Sequence, residues 1–332
     1  MDSMACNSNQ KAQHTPVLID TIINNIQPRG IWIDGTFGAG GYSRALLESG
    51  AIKVFGVDKD PNAIKLSQAM SKEFLERFSF FLGKFSDIEQ YVDKDIVDGV
   101  VFDLGVSSMQ LDHAVRGFSF RHDGPLDMRM GEGDLSAADI VNGFDEEEIA
   151  DILFQYGEEK SSRIIAKKIV SARPITSTLS LSAIINSCFN DRVTTKIHPA
   201  TKSFQALRIA VNDELAELVR GLEAAERILK PGGELVVVTF HSLEDRIVKK
   251  FLRSRAIGKG NVNRYLPSSE EVPPSFILKS SKPYLVGDNE RQSNPRSRSA
   301  KLRIAVRTDA APFPPQRKKL GLPKLALENL IL

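Results

Sequence analysis

Cysteine is scarce in this sequence, and long apolar runs are absent. Only two cysteines, Cys6 and Cys188, occur among 332 residues. Two thiols cannot build a disulfide framework, so we expect a reducing, cytoplasmic compartment. No apolar run approaches the ~20 residues that a membrane helix needs, and we expect no membrane partner. The first residues lack the apolar core of a secretory signal, so we expect a disordered leader over residues 1–13.

Histidine is scarce as well, and its spacing does not match the common zinc motifs. None of the five histidines stands at a metal-ligand spacing from a cysteine or from another histidine. They are His14, His113, His122, His198 and His241. We therefore predict no metal site.

The composition is that of a globular protein, but the charge is unevenly distributed. Hydrophobic residues make up 42% and charged residues 26% of the chain, which excludes a fully disordered protein and a collagen-like repeat. The net charge is +2, although residues 246–332 contain 19 Lys/Arg and only 6 Asp/Glu. A basic carboxyl-terminal third suggests an anionic partner that is reached from one side. A solvated basic tail explains the same distribution equally well.

Strands and helices alternate in the first third of the sequence. Apolar runs predict strands at 31–36, 53–58, 79–83 and 98–105. Helical patterns separate them at 15–26, 42–49 and 61–74, and Thr15 with Pro16 is expected to start the first helix. This alternation predicts an α/β fold with a parallel sheet, whose strands end at a common crevice.

The alternation stops after residue 105. A polar loop at 106–133 is followed by helical patterns without strands, at 136–142, 145–156, 161–173, 180–189 and, as one long amphipathic helix, 201–229. The sheet resumes with strands at 233–242 and 299–308, the second of them expected at the sheet edge. We therefore predict that a sheet domain (14–112 and 216–310) carries a substrate-binding, all-helical insertion (113–215), followed by a loosely attached tail (311–332).

The segment DGTFGAGGYS at 34–43 is rich in glycine and follows the first strand. Gly38 and Gly40 supply the first two glycines of a dinucleotide fingerprint, but Ser43 occupies the third place. No P-loop motif occurs. The turn indicates a nucleotide-like ligand, while a tight turn without a ligand remains the alternative.

Two acidic residues stand at the ends of predicted strands. Asp58 follows Gly40 by 18 residues, a spacing at which an acid accepts the ribose hydroxyls of an adenosine. A helix cap is the alternative, although Asp60 is better placed for it. Asp103 ends the fourth strand, where a buried carboxylate needs a ligand or an amine as partner. Capping of the following turn is its alternative.

Ten segments together resemble the MraW (RsmH) family, from about His14 to Arg307. They are HTPVL, DGTFGAGGYS, GVDKDPNA, DLGVSS, RGFSF, DGPLDMRM, YGEE, HPATKSFQALRIAVN, FHSLEDRIVK and NPRSRSAKLR. The resemblance implies a class I Rossmann-like methyltransferase sheet with an inserted all-helical domain, and S-adenosylmethionine as cofactor. It implies methylation of N4 of a cytidine in the decoding region of 16S rRNA, with the small ribosomal subunit as partner.

The resemblance also implies which residues bind the cofactor. They are Gly40, Gly41, Tyr42, Asp58, Phe85, Asp103 and Gln110. Two positions depart from the family pattern, because Tyr42 stands where histidine is usual and Met109 where proline is common. Without the family, a core position would be the simpler interpretation of Phe85.

The reaction suggests two catalytic residues. The exocyclic amine of cytosine is a poor nucleophile, so the site must align it with the methyl group and stabilise the charge that develops on nitrogen. We predict that Asp103 does this and that His241, which follows the fifth strand, assists. Ser242 and Asp245 fit a capping box loosely, which is the structural alternative for this segment.

Cations and aromatic rings are the candidates for RNA contacts. They are Arg116, Phe118, Phe120, Arg129, Arg208, Arg296 and Arg298. Aromatic rings stack on bases that are drawn out of a helix, and cations bind phosphates. The alternatives are that the rings pin the 106–133 loop to the core and that the basic row of the last strand protects a sheet edge.

Three other functions remain open from the sequence. An amino-methyltransferase that acts on DNA or on another RNA would use the same crevice. A noncatalytic ribosome-assembly factor is the second alternative, and a dinucleotide oxidoreductase, against which Ser43 argues, is the third. Monomer and homodimer are both compatible with the sequence.

Overall fold

An eight-stranded sheet forms the centre of the protein. The computed structural model describes residues 16–93, 96–189, 198–256 and 273–330, so the leader expected at 1–13 lies outside the described residues. The strands are β1 (Gly30–Asp34), β2 (Ala51–Asp58), β3 (Phe78–Leu82), β4 (Val97–Asp103), β5 (Leu229–Thr239), β6 (Phe276–Leu278), β7 (Tyr284–Leu285) and β8 (Lys301–Arg307).

The strand order is that of a doubly wound fold. The sheet runs β3-β2-β1-β4-β5-β8-β6, and β7 also pairs with β8. The first five strands of this order are parallel, whereas β8 is antiparallel to β5. The order reverses between β1 and β4, which is where such sheets bind ligands. The predicted Rossmann-like fold is confirmed.

The first helices cover one face of this sheet. They are α1 (Ile19–Asn25), α2 (Gly41–Glu48) and α3 (Ala63–Phe74). Trp32, Val54 and Val101 of the strands share one buried cluster with Leu46 and Met70 of these helices. The short helices α4 (Ile88–Tyr91) and α5 (Ser108–Asp112) follow β3 and β4, so the segment predicted as a loop at 106–133 contains a helical turn.

Five further helices lie between α5 and the last helix before β5, and this part of the described chain contains no strand. They are α6 (Ala137–Gly143), α7 (Glu146–Gly157), α8 (Ser162–Ser171), α9 (Thr178–Asn186) and α10 (Ala200–Asn212). Their apolar residues join the other face of the sheet in one cluster, which includes Ile140, Leu153, Phe102 and Val237. Asp145 caps α7 in a capping box with Glu148. The boundaries 113–215 stay a prediction.

The long helix predicted at 201–229 is wrong, because the chain breaks at Asp213. The next helix, α11 (Glu214–Ile228), begins directly after this residue. Asp213 has a φ of 48°, the left-handed region that aspartate tolerates better than most residues. The apolar spacing continues across the break because residues of both helices belong to the same buried cluster, so periodicity alone does not reveal it.

The last strand does not lie at the sheet edge, because β6 and β7 pair with it. Its basic row is not an exposed charge row either. Arg303 binds Asp245 at 2.8 Å, and Arg307 donates to the backbone carbonyls of Glu226 and Ser275. Asp245 belongs to α12 (Ser242–Ala256), which covers this side of the strand. The edge-protection interpretation is therefore wrong.

Both ends of the described chain differ from expectation. Helix α1 begins at Ile19 after Leu18, whose N–H donates to Glu290 of α13 (Asp288–Ser293). Thr15, the expected cap, lies outside the described residues. The described part of the 311–332 tail is attached through buried Leu320 and Leu322 and contains α14 (Lys324–Glu328). No helix in the described part is long and apolar enough to cross a membrane.

Candidate active site

The carboxyl ends of β1, β2, β4 and β5 open into one cleft of about 470 Å³. This volume lies in the range of roughly 300–1,000 Å³ that is typical of small-molecule sites. The loops after the strands form one wall, and α10 and α11 form the wall opposite. The strand order therefore brings together the loops that the sequence predicted to meet.

The glycine-rich turn has a backbone that only glycine allows. Gly40 has a φ of 80°, and a Cβ on it would lie 2.5 Å from Met70 and 2.8 Å from Phe37. A Cβ on Gly41 would lie 2.4 Å from Cγ of Pro16. Gly41 lines the cleft at the first turn of α2, whereas Gly40 does not line it. The turn thus places the amino terminus of α2 at the cleft, where backbone N–H groups favour a polar ligand.

Asp34 holds this turn from beneath, a role that the sequence did not reveal. The backbone N–H and the hydroxyl of Ser43 donate to its Oδ2 at 3.0 and 2.7 Å, and Thr36 N–H donates to Oδ1. Ser43 stands at the place of the third glycine of a dinucleotide turn, and its hydrogen bonds to Asp34 hold the start of α2 in position. Burial raises the pKa of Asp34 to about 6, against the hydrogen bonds, which lower it.

Exchange of Asp34 for asparagine should change how stability depends on pH. Between pH 4 and 6 an unfolded aspartate loses its proton while folded Asp34 keeps it, so the folded state binds more protons and stability falls as pH rises. We expect the free energy of unfolding of the wild type, relative to Asp34→Asn, to fall by roughly 2 kcal/mol from pH 4 to 7. Urea unfolding across this range measures it. A constant difference would contradict the assignment.

Asp58 lines the cleft at the end of β2. Its Oδ2 accepts the Gly38 N–H at 2.7 Å and its Oδ1 accepts the Asp60 N–H at 2.8 Å, so it joins the first two loops. Burial raises its pKa. Helix α3 begins only at Ala63, and neither acid caps it. The capping alternative for Asp58 is therefore wrong, whereas ribose binding stays a prediction.

Gln110 is turned toward the same loops. Its side chain completes a capping box with Ser107, and its Nε2 donates to Asp60 at 2.8 Å. Met109 in place of the family's proline does not disturb this turn, because both hydrogen bonds of the box are formed.

Phe85 lines the cleft beyond β3, where a planar ligand could stack on it. Its ring packs on Phe102 with centroids 4.9 Å apart. A Cβ on Gly221 would lie 2.4 Å from the Phe85 ring, so α11 approaches this ring only because position 221 has no side chain. Gly221 is a further residue that the sequence did not reveal.

Asp103 lies at the centre of the cleft, at the end of β4. Its Oδ1 is buried and has no hydrogen-bond partner among the described residues. Burial raises the pKa of Asp103 well above its usual range, and the charge of Asp34 raises it further. An orphaned acceptor of this kind fits a ligand that carries an N–H donor. The alternative role as a cap is not observed, since Ser107 caps α5.

Tyr42 supports the amino-terminal wall of the cleft. Its buried hydroxyl donates to the carbonyl of Val17 at 2.6 Å. Pro16 and Val17 line the cleft beside it. The tyrosine that departs from the family pattern thus fixes a segment next to Asp103.

The wall after β5 is built around Glu244, which the sequence did not single out. Its Oε2 accepts the N–H groups of Phe240 and His241 at 2.8 and 3.2 Å. Nε2 of His241 lies 3.0 Å from its Oε1. Ser242 instead donates to Glu158, so the loose capping box expected from Ser242 is wrong. Burial raises the pKa of Glu244, but His241 and Arg208 together hold it below its usual value.

One group of side chains has the composition of a metal site. Glu214, His241 and Glu244 each present one ligand atom, and these atoms lie within 4.8 Å of one another. Arg208 already binds Glu214 through two hydrogen bonds of 2.8 Å, and its charge opposes a cation there. The expectation of no metal stays a prediction.

Two of the residues predicted to contact RNA reach the cleft. Arg208 lines its helical wall, and Arg296 lies at its mouth, where it binds Asp112 at 2.6 Å. Arg116 does not line it, because its guanidinium binds Asp60 at 2.9 Å and the carbonyls of Arg129 and Met130. In the structure, Arg116 therefore joins the loops that follow β2 and β4.

The remaining candidates lie outside the cleft. Phe118 is buried in the core, as the pinning alternative expected. Phe120 stacks on His198 with centroids 4.5 Å apart, Arg129 binds Asp127, and Arg298 is exposed. Contact of any of these residues with RNA stays a prediction.

The chain matches a family described as the MraW methylase family over residues 11–308. Ribosomal RNA small subunit methyltransferase H of Roseobacter denitrificans is 52% identical to it, over 98% of this chain and 100% of that protein. The protein of the same name from Cereibacter sphaeroides is 52% identical, over 96% and 98%. An rRNA methylase structure from Streptococcus thermophilus covers 90% of this chain and 100% of its own at 12% identity, with a TM-score of 0.39, too low to add to the fold seen here. The full-length matches confirm the resemblance seen in the sequence: the chain belongs to the MraW methylase family.

Proposed function

We propose that this chain transfers a methyl group from S-adenosylmethionine to N4 of a cytidine in small-subunit rRNA. The observation that carries the proposal is the order of side chains along the cleft. Asp58 and the glycine-rich turn lie at the ends of β2 and β1, Asp103 follows at β4, and Phe240 with Glu244 lies beyond β5. Asp103 thus separates a cofactor half from a substrate half.

The side chains and the glycine-rich backbone of the cofactor half fit the chemical groups of S-adenosylmethionine. Asp58 would accept hydrogen bonds from the ribose hydroxyls, and Phe85 would flank the adenine. Gly41 has no side chain, so the cofactor could closely approach the backbone there. Gln110 braces this half through Asp60, and the orphaned Oδ1 of Asp103 suits an ammonium group or an amine. When bound, S-adenosylmethionine supplies an electrophilic methyl group on its sulfonium sulfur.

Asp103 and His241 act on the amine side. A carboxylate at Asp103 accepts an N4 proton and stabilises the positive charge that develops on nitrogen. Because the pKa of Asp103 is raised, its charged form, and with it the rate, increases as pH rises. His241 lies against Glu244 rather than lining the cleft, so it acts through that carboxylate.

The names of the relatives support small-subunit rRNA as substrate, at 52% identity over nearly the full length. Small ribosomal subunits would place the chain in the cytoplasm. Arg296 at the mouth of the cleft and exposed Arg298 offer cations for the rRNA backbone. The specific choice of N4 rests on the amine-accepting position of Asp103.

Methyl transfer to a panel of nucleic acids tests the substrate. The protein is incubated with labelled S-adenosylmethionine and unmethylated small subunits, naked 16S rRNA or DNA. We expect label in small-subunit rRNA and none in DNA. Transfer to DNA or to another RNA would favour the alternative substrates. Cofactor binding without transfer to any of them would favour the noncatalytic assembly factor, and binding of NAD in its place the oxidoreductase.

A further inference from the structure

The substrate half of the cleft contains a pair of opposite charges that the cofactor half does not use. Arg208 of α10 and Glu214 of α11 face each other across the break at Asp213. Their side chains are 14% and 10% exposed, and both line the cleft. They lie on the wall of Glu244, which is on the side of Asp103 away from Asp58 in the strand order.

The geometry of this pair leaves a donor and an acceptor side by side. Nε and Nη2 of Arg208 donate to the two oxygens of Glu214, both at 2.8 Å. Nη2 has a second N–H, which has no partner among the described residues and lies beside the Glu214 oxygen that Nη2 already binds. Each carboxylate oxygen of Glu214 has a second lone pair, which can accept another hydrogen bond. The two-bond contact holds the guanidinium plane in a fixed direction.

A donor beside an acceptor is complementary to the edge of cytosine. That edge offers N3 and O2 as acceptors next to the N4 amine, which has two protons. Uracil presents the reverse order, with a proton on N3 and an acceptor at position 4. Enzymes that act on a base drawn out of its helix read it by hydrogen bonds to this edge.

We propose that the Arg208–Glu214 pair reads the target base: the second N–H of Arg208 Nη2 donates a hydrogen bond to N3, and Oε2 of Glu214 accepts one from the N4 proton nearest to N3. The second N4 proton then faces Asp103, which orients the amine for transfer. Arg208 determines base specificity, and Glu214 also positions the Arg208 guanidinium. This inference rests on the proposed function, because it requires a cytosine in the substrate half.

A cycle of enzyme variants and base analogues tests the contact with N3. Small subunits are reconstituted with 16S rRNA that carries either cytidine or 3-deazacytidine at the methylated position, and kcat/KM is measured for both. The analogue has a C–H in place of N3. The intrinsic reactivity of the analogue is common to all enzymes, so it cancels when the cytidine-to-analogue ratios are compared.

We expect the cytidine-to-analogue ratio to be roughly tenfold or more higher for wild type than for Arg208→Met. Glu214→Gln should lower the ratio by a smaller factor, because the amide still accepts but holds the guanidinium less firmly. Arg220→Met is the matched control. It removes an ion pair with Asp213 at the same helix junction without lining the cleft, and it should keep the wild-type ratio.

Equal ratios for wild type, Arg208→Met and Glu214→Gln would overturn the inference while leaving the proposed function intact. Weaker cofactor binding by Arg208→Met with an unchanged ratio would also overturn it, because Arg208 would then hold the cofactor. Should Arg208→Met fail to fold, Glu214→Gln and Arg208→Lys carry the same test, since lysine lacks the planar fork. If wild type methylates no cytidine, the proposed function fails, and the inference fails with it.

Discussion

Replacement of Asp103 by alanine should lower kcat for methyl transfer by roughly 100-fold or more. Asp103 is the central side chain of the cleft, and its Oδ1 is buried without a hydrogen-bond partner among the described residues. Its carboxylate is therefore free to accept protons from a ligand amine. Without it, nothing at the end of β4 stabilises the charge that develops on the nitrogen. Single-turnover kinetics with saturating cofactor measures this loss separately from binding.

Two further variants give this prediction its controls. Asp103→Asn keeps the shape but cannot become charged, so the increase in rate with pH expected for wild type should disappear. Asp151→Ala removes a surface carboxylate whose hydrogen bond, among the residues that the structure describes, is to Gln155 on α7, and it should leave kcat unchanged. A kcat for Asp103→Ala within threefold of wild type would exclude Asp103 from the reaction.

Replacement of Asp58 by alanine should weaken cofactor binding by roughly 10- to 100-fold, because hydrogen bonds to a charged group contribute about 1.5–3 kcal/mol. The substitution would remove the carboxylate that binds the ribose hydroxyls, and the Gly38 and Asp60 N–H groups would lose their acceptor. Calorimetric titration with S-adenosylmethionine measures the dissociation constant.

Asp98→Ala is the matched control for Asp58. Asp98 also accepts a backbone N–H, that of Ile31, and binds Lys230, but it lies at the opposite end of β4 from the cleft. Its loss should lower the melting temperature without changing cofactor affinity. If Asp98→Ala weakened cofactor binding as much as Asp58→Ala does, the effect would come from stability, and Asp58 would not contact the cofactor.

Strands β1 to β4 could be predicted because they are mostly apolar runs that end in aspartate or are followed by glycine. The interiors of β4 and β5 are buried on both faces, so each gives a strong local signal. The break at Asp213 could not be predicted from the same kind of pattern. One residue in the left-handed region changes the direction of a helix without changing its apolar spacing.

The glycine-rich turn, Asp58 and Asp103 could be found in the sequence because each directly follows a strand. Glu214 and Glu244 could not. In a continuous helix, residues six apart do not face each other, so the pairing of Arg208 with Glu214 depends on the unpredicted break at Asp213. The role of Asp34 could not be predicted either, because Asp34 acts on the backbone of the turn and not on a ligand. Its partner, Ser43, was noticed only as a missing glycine.

Identification of the methylated nucleoside tests the central claim most directly. Unmethylated small subunits are treated with the protein and S-adenosylmethionine, their rRNA is digested to nucleosides, and chromatography with mass spectrometry locates the new methyl group. The proposed function predicts N4-methylcytidine, because the buried Oδ1 of Asp103 would accept a hydrogen bond from the amine. A methyl group on C5 or on the ribose 2′-oxygen would contradict the account, since neither position presents an N–H to that carboxylate.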